Sequence, residues 1–204
     1  MSGGGKSLAA FDTGALSGAR TKRGYNQTTS CGLPFWSADP RPEDIRVRDI
    51  ACQLARNCRF NGALRDDVEI YSVAQHCCLV SDHCLPEFRF EGLMHDAAEA
   101  YTGDMIKPIK LQLTEWKTIE DRIDAAIRRK FGLPRKLSWQ VKEQDRLAVV
   151  TEHRDLQVIT GLVDWGEMPD PWPEKIEAWG VFRARGEWLN RFSLLYKGDD
   201  HAAL

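Results

Sequence analysis

Apolar residues at helical spacing, repeated along the chain and interrupted by glycine or proline, are the feature that most limits the fold. Between Thr114 and Phe131 a large apolar residue recurs every three or four positions, until Gly132 and Pro134 end the pattern. Such spacing places the apolar side chains on one face of a helix. It predicts further helices beginning near Ile45, Ser72, Phe88, Ser138 and Ile176.

The chain lacks convincing strand patterns. No segment alternates apolar and polar residues as a half-buried strand requires. At 204 residues the chain is long enough to bury one hydrophobic core without disulfides or other staples. We therefore predict an all-α fold, with roughly five to seven helices packed around that core.

Three regions are predicted along the chain. Residues 1–32 are rich in Gly, Ser, Thr and Ala, which favours a flexible or loosely docked arm. Residues 33–160 form the helical domain, and residues 161–204 form a Trp-rich extension that packs on the same domain. Large aromatic residues mostly bury area in cores, so we favour packing over ligand binding for Trp165, Trp172, Trp179 and Trp188.

Charge and hydropathy exclude two classes of partner. With 28 basic and 30 acidic residues the net charge is -2, so no basic excess favours binding to duplex nucleic acid. No apolar run approaches the roughly 18 to 20 residues that span a bilayer, and the N-terminus lacks the apolar core of a signal peptide. We expect no membrane partner and a cytoplasmic location.

The six cysteines lie scattered in a chain without a secretion signal, which predicts reduced thiols. Cys77, Cys78, His83 and Cys84 could suggest zinc, but the group lacks a second well-spaced pair. Cysteine is commonly a small buried hydrophobic residue, and we favour that role here.

A His-Asp pair stands out among the polar residues. His95 and Asp96 lie together in a helical stretch of mostly small and apolar residues, GLMHDAAEAY. Adjacent helical residues diverge by about 100°, so both side chains reach one point only in a crevice beside the helix. A metal ion satisfies that geometry. His76 and Asp145 are further candidate ligands, because an unpaired carboxylate on the apolar face that holds Asp145 would be costly.

Spacing alone leaves two explanations open. One metal ion accounts for all four side chains, and imidazole with carboxylate suits Zn, Mn, Co, Fe or Ni, with Mg also considered. Alternatively, His76 is a hydrogen-bonded core histidine and Asp145 pairs with Arg122 or Arg146.

Five short motifs carry a resemblance to a known family. They are CRFNG at 58–62, YSVAQH at 71–76, LMHDAAEAYTGD at 93–104, PIK at 108–110 and KEQDR at 142–146. In this order they resemble the HD-domain metal-dependent phosphohydrolases, in particular the 5′-deoxynucleotidase branch and the phage deoxynucleoside triphosphohydrolases. The match spans about half of the chain and implies an HD-domain-like helical bundle.

The resemblance also implies roles for individual residues. The metal ligands would be His76, His95, Asp96 and Asp145, the catalytic carboxyl groups Glu99 and Asp104, and the substrate contacts Arg59, Phe60 and Lys110. Glu152 lies two turns beyond Asp145 on the same helical face, which suggests a residue that orients a ligand or pairs with a neighbouring helix.

The implied activity is hydrolysis of a small-molecule nucleotide, with deoxynucleoside 5′-monophosphates as the expected substrates and a divalent metal ion as cofactor. Three alternatives remain: a triphosphohydrolase, a nucleotide-binding regulatory module with little turnover, and a protein with a purely structural metal. Glu99 and Asp104 disfavour a pure binder, which needs neither carboxyl group. Relatives commonly form homodimers, so a second copy is a further expected partner.

Overall fold

The computed structural model describes residues 22–162 and 166–198, and these residues form an all-α bundle, which confirms the predicted fold class. Two-residue strands at Gln27–Thr28 (β1) and Pro34–Phe35 (β2) form a small antiparallel pair that no sequence pattern indicated. In chain order the helices are α1 (Val47–Leu54), α2 (Val73–His83), α3 (Arg89–Met94), α4 (Glu99–Thr102), α5 (Lys107–Lys110), α6 (Thr114–Phe131), α7 (Trp139–Leu156) and α8 (Val181–Leu195).

Local capping explains the start of α2 and the end of α6, but not the start of α7. The Ser72 hydroxyl accepts a hydrogen bond from the backbone N–H of Gln75 at the start of α2. Gly132 ends α6 in the left-handed conformation with φ 65°. Ser138 precedes α7, but its hydroxyl makes no capping bond; its backbone N–H instead donates to Glu91 Oε1 over 3.1 Å. The start of α7 is therefore tied to a buried carboxylate of α3.

The single helix predicted from Phe88 to Thr102 is broken into α3 and α4. The break spans residues 95–98, where the backbone N–H of Ala97 bonds to the Met94 carbonyl and that of Glu99 to the Asp96 carbonyl, each three residues back. This tighter turn carries the His-Asp pair. The last helix also differs from expectation, since it begins at Val181 and not near Ile176.

Helix α2 lies in the middle of the bundle, packed against α3, α7 and α8. Its close contact with α3 depends on Gly92, where a Cβ atom would lie 3.0 Å from Cys84 Sγ and 3.1 Å from Ser81 Cα. Because α2 is held on several sides, the side chain of His76 has a fixed position near the end of α3 and the first turns of α7.

Both ends of the described chain contact the bundle. The predicted arm lies outside the described residues up to position 21, but Arg23 pairs with Asp39 over 2.8 Å and with Asp44 over 2.5 Å. In the C-terminal extension Trp172 and Trp188 are buried, and Trp172 stacks on His83 with ring centroids 3.6 Å apart. Trp165 lies outside the described residues. All six cysteines are free thiols.

No helix in the described part of the chain has both the length and the apolar character needed to cross a membrane.

Candidate metal centre

The four predicted ligands meet in a crevice between α2, α7 and the turn that joins α3 to α4. His76 Nε2 lies 3.2 Å from His95 Nε2 and 3.2 Å from Asp145 Oδ1. Asp96 Oδ2 lies 3.2 Å from His95 Nε2 and 3.5 Å from His76 Nε2. Two atoms that each bond one metal ion at about 2.1 Å lie roughly 3.0 to 4.2 Å apart, depending on the angle between the two bonds. The Nε2 atoms and the aspartate oxygens nearest to them lie 3.2 to 3.8 Å apart, so each aspartate can share an ion with the two histidines. We call these four side chains the metal centre.

Hydrogen bonds fix which nitrogen of each imidazole faces the centre. His95 Nδ1 lies 2.7 Å from the Gly92 carbonyl oxygen, which can only accept a hydrogen bond. His76 Nδ1 lies 2.5 Å from Glu152 Oε1. When neutral, both rings therefore carry their proton on Nδ1, and the two Nε2 lone pairs face each other. Lone pairs at this distance need a proton or a cation between them, and metal-binding imidazoles are oriented in this way.

The carboxylate that orients His76 is itself held on several sides. Glu152 is fully buried and accepts hydrogen bonds from the Tyr71 hydroxyl over 2.8 Å and from Arg59 Nε over 3.2 Å. Burial favours its neutral form, but the charges of Arg59 and His76 outweigh burial and keep the pKa of Glu152 below its ordinary value. The position of Glu152 on the same helical face as Asp145 indicated this role from the sequence. No sequence pattern indicated that Tyr71 would bind Glu152.

The two aspartates of the centre are ionised. Burial opposes this, but His95 and His76 outweigh it and lower the pKa of Asp96 to about 2. The same histidines keep the pKa of Asp145 well below its usual range. In the described residues Asp145 forms no ion pair with Arg122 or Arg146, the partners of the alternative explanation. The centre therefore gathers two negative charges beside two imidazoles.

Solvent reaches the centre from the aspartate side. The side chain of Asp145 is 38% exposed and that of Asp96 is 24% exposed, whereas both histidine side chains are almost fully buried. Closed structural metal sites surround the ion with protein ligands, while catalytic sites keep a position open to water or substrate. The exposed aspartates give this crevice the second kind of geometry.

The predicted catalytic residues lie beside the centre. Glu99 is buried at the start of α4, with Oε1 3.6 Å from Lys110 Nζ and Oε2 without a hydrogen-bond partner. Burial, together with the charges of Asp96 and Asp104, raises the pKa of Glu99 well above its ordinary value. Burial likewise raises the pKa of Asp104, in the loop after α4. Glu99 therefore keeps its proton to a higher pH than an ordinary glutamate does.

The predicted substrate contacts all have protein partners. The buried Arg59 guanidinium lies between Glu152 and Asp96, 3.6 Å from Asp96 Oδ2. Lys110 Nζ donates to Glu120 over 2.8 Å. The half-buried Phe60 packs against the cluster that contains Tyr71 and Leu156. Its φ of 56° is in the left-handed region, as is that of Asn61 at 53°, so this turn is strained beside the site.

Cys77 lies beside the metal centre, although the sequence predicted only a buried core thiol at this position. Cys77 is fully buried, as expected for a core thiol, but its Sγ lies within 4.8 Å of donor atoms of both His95 and Asp96. Burial raises the pKa of this thiol. Adjacent helical residues such as His95 and Asp96 can approach one point in a crevice beside the helix. The same argument, applied to the adjacent residues His76 and Cys77, would have indicated this contact.

No protein-family model matches the chain. The uncharacterized protein YfdR of Escherichia coli is 44% identical over 133 residues, which cover 65% of this chain and 73% of YfdR. An uncharacterized protein of Rhodobacter capsulatus is 36% identical over 132 residues, which cover 60% of this chain and 67% of that protein. At this level of identity and coverage, the chain belongs to the same protein family as YfdR.

Proposed function

We propose that the protein is a metal-dependent phosphohydrolase that acts on nucleotides, with deoxynucleoside 5′-monophosphates as the expected substrates. One observation carries the proposal: two imidazole Nε2 atoms lie 3.2 Å apart, and each of two aspartates has an oxygen 3.2 to 3.8 Å from both of them. The motifs that resemble the HD-domain phosphohydrolases support the reaction class, and all five of them include residues at or beside this crevice.

The donor set fits a divalent cation. His76, His95, Asp96 and Asp145 would hold it, because neutral imidazole and carboxylate are ordinary ligands of Zn, Mn, Fe and Co. A cation bound there supplies a Lewis acid for the phosphate oxygens and lowers the pKa of a bound water. The exposed faces of both aspartates leave room for water and for a phosphate group.

Glu99 would transfer a proton in the reaction. Its raised pKa favours the protonated form of the carboxyl group, and within the described residues its Oε2 has no hydrogen-bond partner. A protonated carboxyl group at the rim of the centre can donate to the oxygen of the leaving group. Asp104 would assist at the mouth of the crevice, where it lies close enough to influence Glu99.

The basic residues would position the substrate phosphate in two ways. Lys110 lies near Glu99 and is partly exposed, so its ammonium group can attract an anionic phosphate to the rim. Arg59 is buried and already bound to Glu152. We propose that it fixes Asp96 and Glu152 and adds positive potential, while the neighbouring Phe60 borders the sugar or base.

The test begins with metal-free protein, reconstituted separately with Zn, Mn, Co, Fe, Ni and Mg. Each form is incubated with ribo- and deoxynucleoside mono- and triphosphates, and the released phosphate species are identified. Free phosphate from monophosphates supports the proposal, whereas tripolyphosphate from triphosphates identifies the alternative triphosphohydrolase. Metal-loaded protein that binds nucleotides but releases no phosphate would instead be a regulatory module.

Two variants link any activity to the crevice. Asp96→Asn removes a carboxylate of the centre, and Asp66→Asn removes an exposed carboxylate on a surface loop as a matched control. We expect Asp96→Asn to lose bound metal and activity together, while Asp66→Asn retains both. An Asp96→Asn protein with full activity would refute this assignment of the site.

A further inference from the structure

We propose that Cys77 is a direct ligand in the metal centre, and that its sulfur gives the centre a preference for thiophilic ions such as Zn²⁺, Co²⁺ and Cd²⁺ over Mg²⁺ and Mn²⁺. This inference rests on the proposed metal centre and adds a fifth ligand to it. None of the motifs that carry the resemblance assigns a role to this thiol.

The position of Cys77 in α2 supports direct ligation. Cys77 follows His76, and its donor atom lies within 4.8 Å of donor atoms of both His95 and Asp96. His76 and Asp145 form a second group with the same His95. Sulfur and nitrogen bound to one ion, at about 2.3 and 2.1 Å, lie at most roughly 4.4 Å apart. The 4.8 Å limit on the distances from Cys77 to His95 and Asp96 is close to that separation, and His95 is common to both groups.

The charges around the thiol are compatible with a bound thiolate. Ligation replaces the S–H bond with a sulfur–metal bond, and the proton leaves to solvent. Two aspartates and one thiolate would exceed the charge of a divalent ion by one, and the buried guanidinium of Arg59, 3.6 Å from Asp96 Oδ2 and shared with Glu152, offsets part of that excess. Because Mg²⁺ and Mn²⁺ prefer oxygen ligands, the sulfur shifts selectivity away from them.

The next residue in the chain provides a matched comparison. Cys78 is also fully buried, and burial raises the pKa of both thiols. Within the described residues, however, Cys78 belongs to neither group of side chains that could hold a metal ion. Ser substitutions at Cys77 and Cys78 therefore make the same chemical change at neighbouring buried sites, only one of which faces the metal centre.

The experiment is a Co²⁺ titration of the metal-free full chain, followed by absorption spectroscopy. Bound Co²⁺ gives visible d–d bands whatever its ligands are, and a thiolate ligand adds a near-ultraviolet sulfur-to-cobalt charge-transfer band. We expect both features in the unaltered protein and in Cys78→Ser. Cys77→Ser should keep the visible bands, lose the charge-transfer band and bind Co²⁺ about tenfold more weakly or worse. Its Mn²⁺ affinity should stay within about twofold.

The possible results separate the two proposals. Visible bands without a charge-transfer band in the unaltered protein would overturn the role of Cys77 and leave the metal centre in place. A charge-transfer band that survives in Cys77→Ser would also overturn it, because another thiol would be the ligand. Failure of the unaltered protein to bind Co²⁺, Zn²⁺ or Mn²⁺ would overturn the metal centre itself.

Discussion

Two groups of buried charged side chains lie close together in this molecule and differ in how their charges are matched. In the first, which we call the Glu91 cluster, Glu91 Oε1 accepts from Arg128 Nη1 over 3.3 Å and from the Ser138 N–H over 3.1 Å. Arg128 also donates to Asp124 and to the Pro134 carbonyl oxygen, each over 2.7 Å. In the second group, the metal centre, imidazole Nε2 atoms lie beside one another and beside aspartate oxygens.

The comparison shows that burial of charge does not by itself mark a functional site. The Glu91 cluster joins α3, α6 and the start of α7, and its two carboxylates, Glu91 and Asp124, each accept a hydrogen bond from the Arg128 guanidinium, as buried charged groups in folded proteins usually do. In the metal centre burial lowers the pKa of both histidines, but the neighbouring carboxylates outweigh burial and raise it, so protons on the imidazoles balance the carboxylates when no ion is bound. A metal ion can replace those protons, and titratable groups perturbed in this way point to function rather than to stability.

The largest effect should follow removal of a carboxylate from the metal centre. Asp145→Asn takes away a charged ligand, so we expect nucleotide hydrolysis to fall about a thousandfold or more, with loss of bound metal. The free energy of unfolding of the metal-free protein should fall by about 1 to 2 kcal/mol, because Asp145 interacts favourably with the histidines but is partly exposed. Phosphate release, metal analysis and urea denaturation measure the three quantities. A large loss of metal-free stability would remove the distinction between the two clusters.

The opposite pattern is expected in the Glu91 cluster. Arg128→Met leaves Glu91 buried without its cationic partner, so the free energy of unfolding should fall by about 3 to 5 kcal/mol. Metal content and turnover per folded molecule should remain. Arg129→Met, at the exposed neighbouring position, is the matched control and should change stability by less than about 0.5 kcal/mol. Urea denaturation of both variants measures the difference, and equal losses would contradict this role for Arg128.

Two buried glutamates sharpen the comparison further. Glu99→Gln removes the proposed proton donor and should reduce kcat by about a hundredfold while metal stays bound. Glu91→Gln makes the same change where the carboxylate has two partners, so it should lower stability and leave kcat nearly unchanged. Steady-state kinetics with metal analysis on both proteins provides the measurement. A Glu99→Gln enzyme with normal kcat would exclude Glu99 from proton transfer.

Local patterns in the sequence accounted for most of the fold. Helical spacing with turn residues placed α2, α6 and α7, and the Ser72 and Gly132 caps are where the sequence indicates. The break between α3 and α4 was missed, because no glycine or proline marks that turn and Ala97 and Ala98 favour a helix. The little β1–β2 pair is too short for any alternating pattern to show.

The site was predictable only in part, because it too depends on tertiary packing. His95 and Asp96 stand out by local context, whereas His76 and Asp145 required the family resemblance, since spacing alone allowed other partners. The support of His76 by Glu152 links residues 76 positions apart, and that of Glu152 by Arg59 links residues 93 positions apart. Contacts at such separations follow from tertiary packing and leave no periodic signal in the chain.

Removal of the buried Asp155 carboxylate should have the smallest effect of the variants considered, and that effect should depend on pH. Asp155 accepts from Arg154 Nε over 2.7 Å and from the Ile176 N–H over 2.8 Å, so it ties the C-terminal extension to α7 and belongs with the matched charges. Burial favours its neutral form, but these two bonds outweigh burial and lower the pKa of Asp155. A lowered pKa stabilises the fold above the unfolded-state pKa of about 3.9.

Asp155→Asn should therefore reduce the free energy of unfolding by about 1 to 2 kcal/mol at pH 7. As the pH falls below about 4 and through the lowered pKa, the unaltered protein loses the same contribution, so the two unfolding curves should converge. Denaturation at a series of pH values measures this, with Asp170→Asn, an exposed carboxylate of the same extension, as the control. A difference that stays constant down to pH 2 would mean that Asp155 acts through its shape and not through its charge.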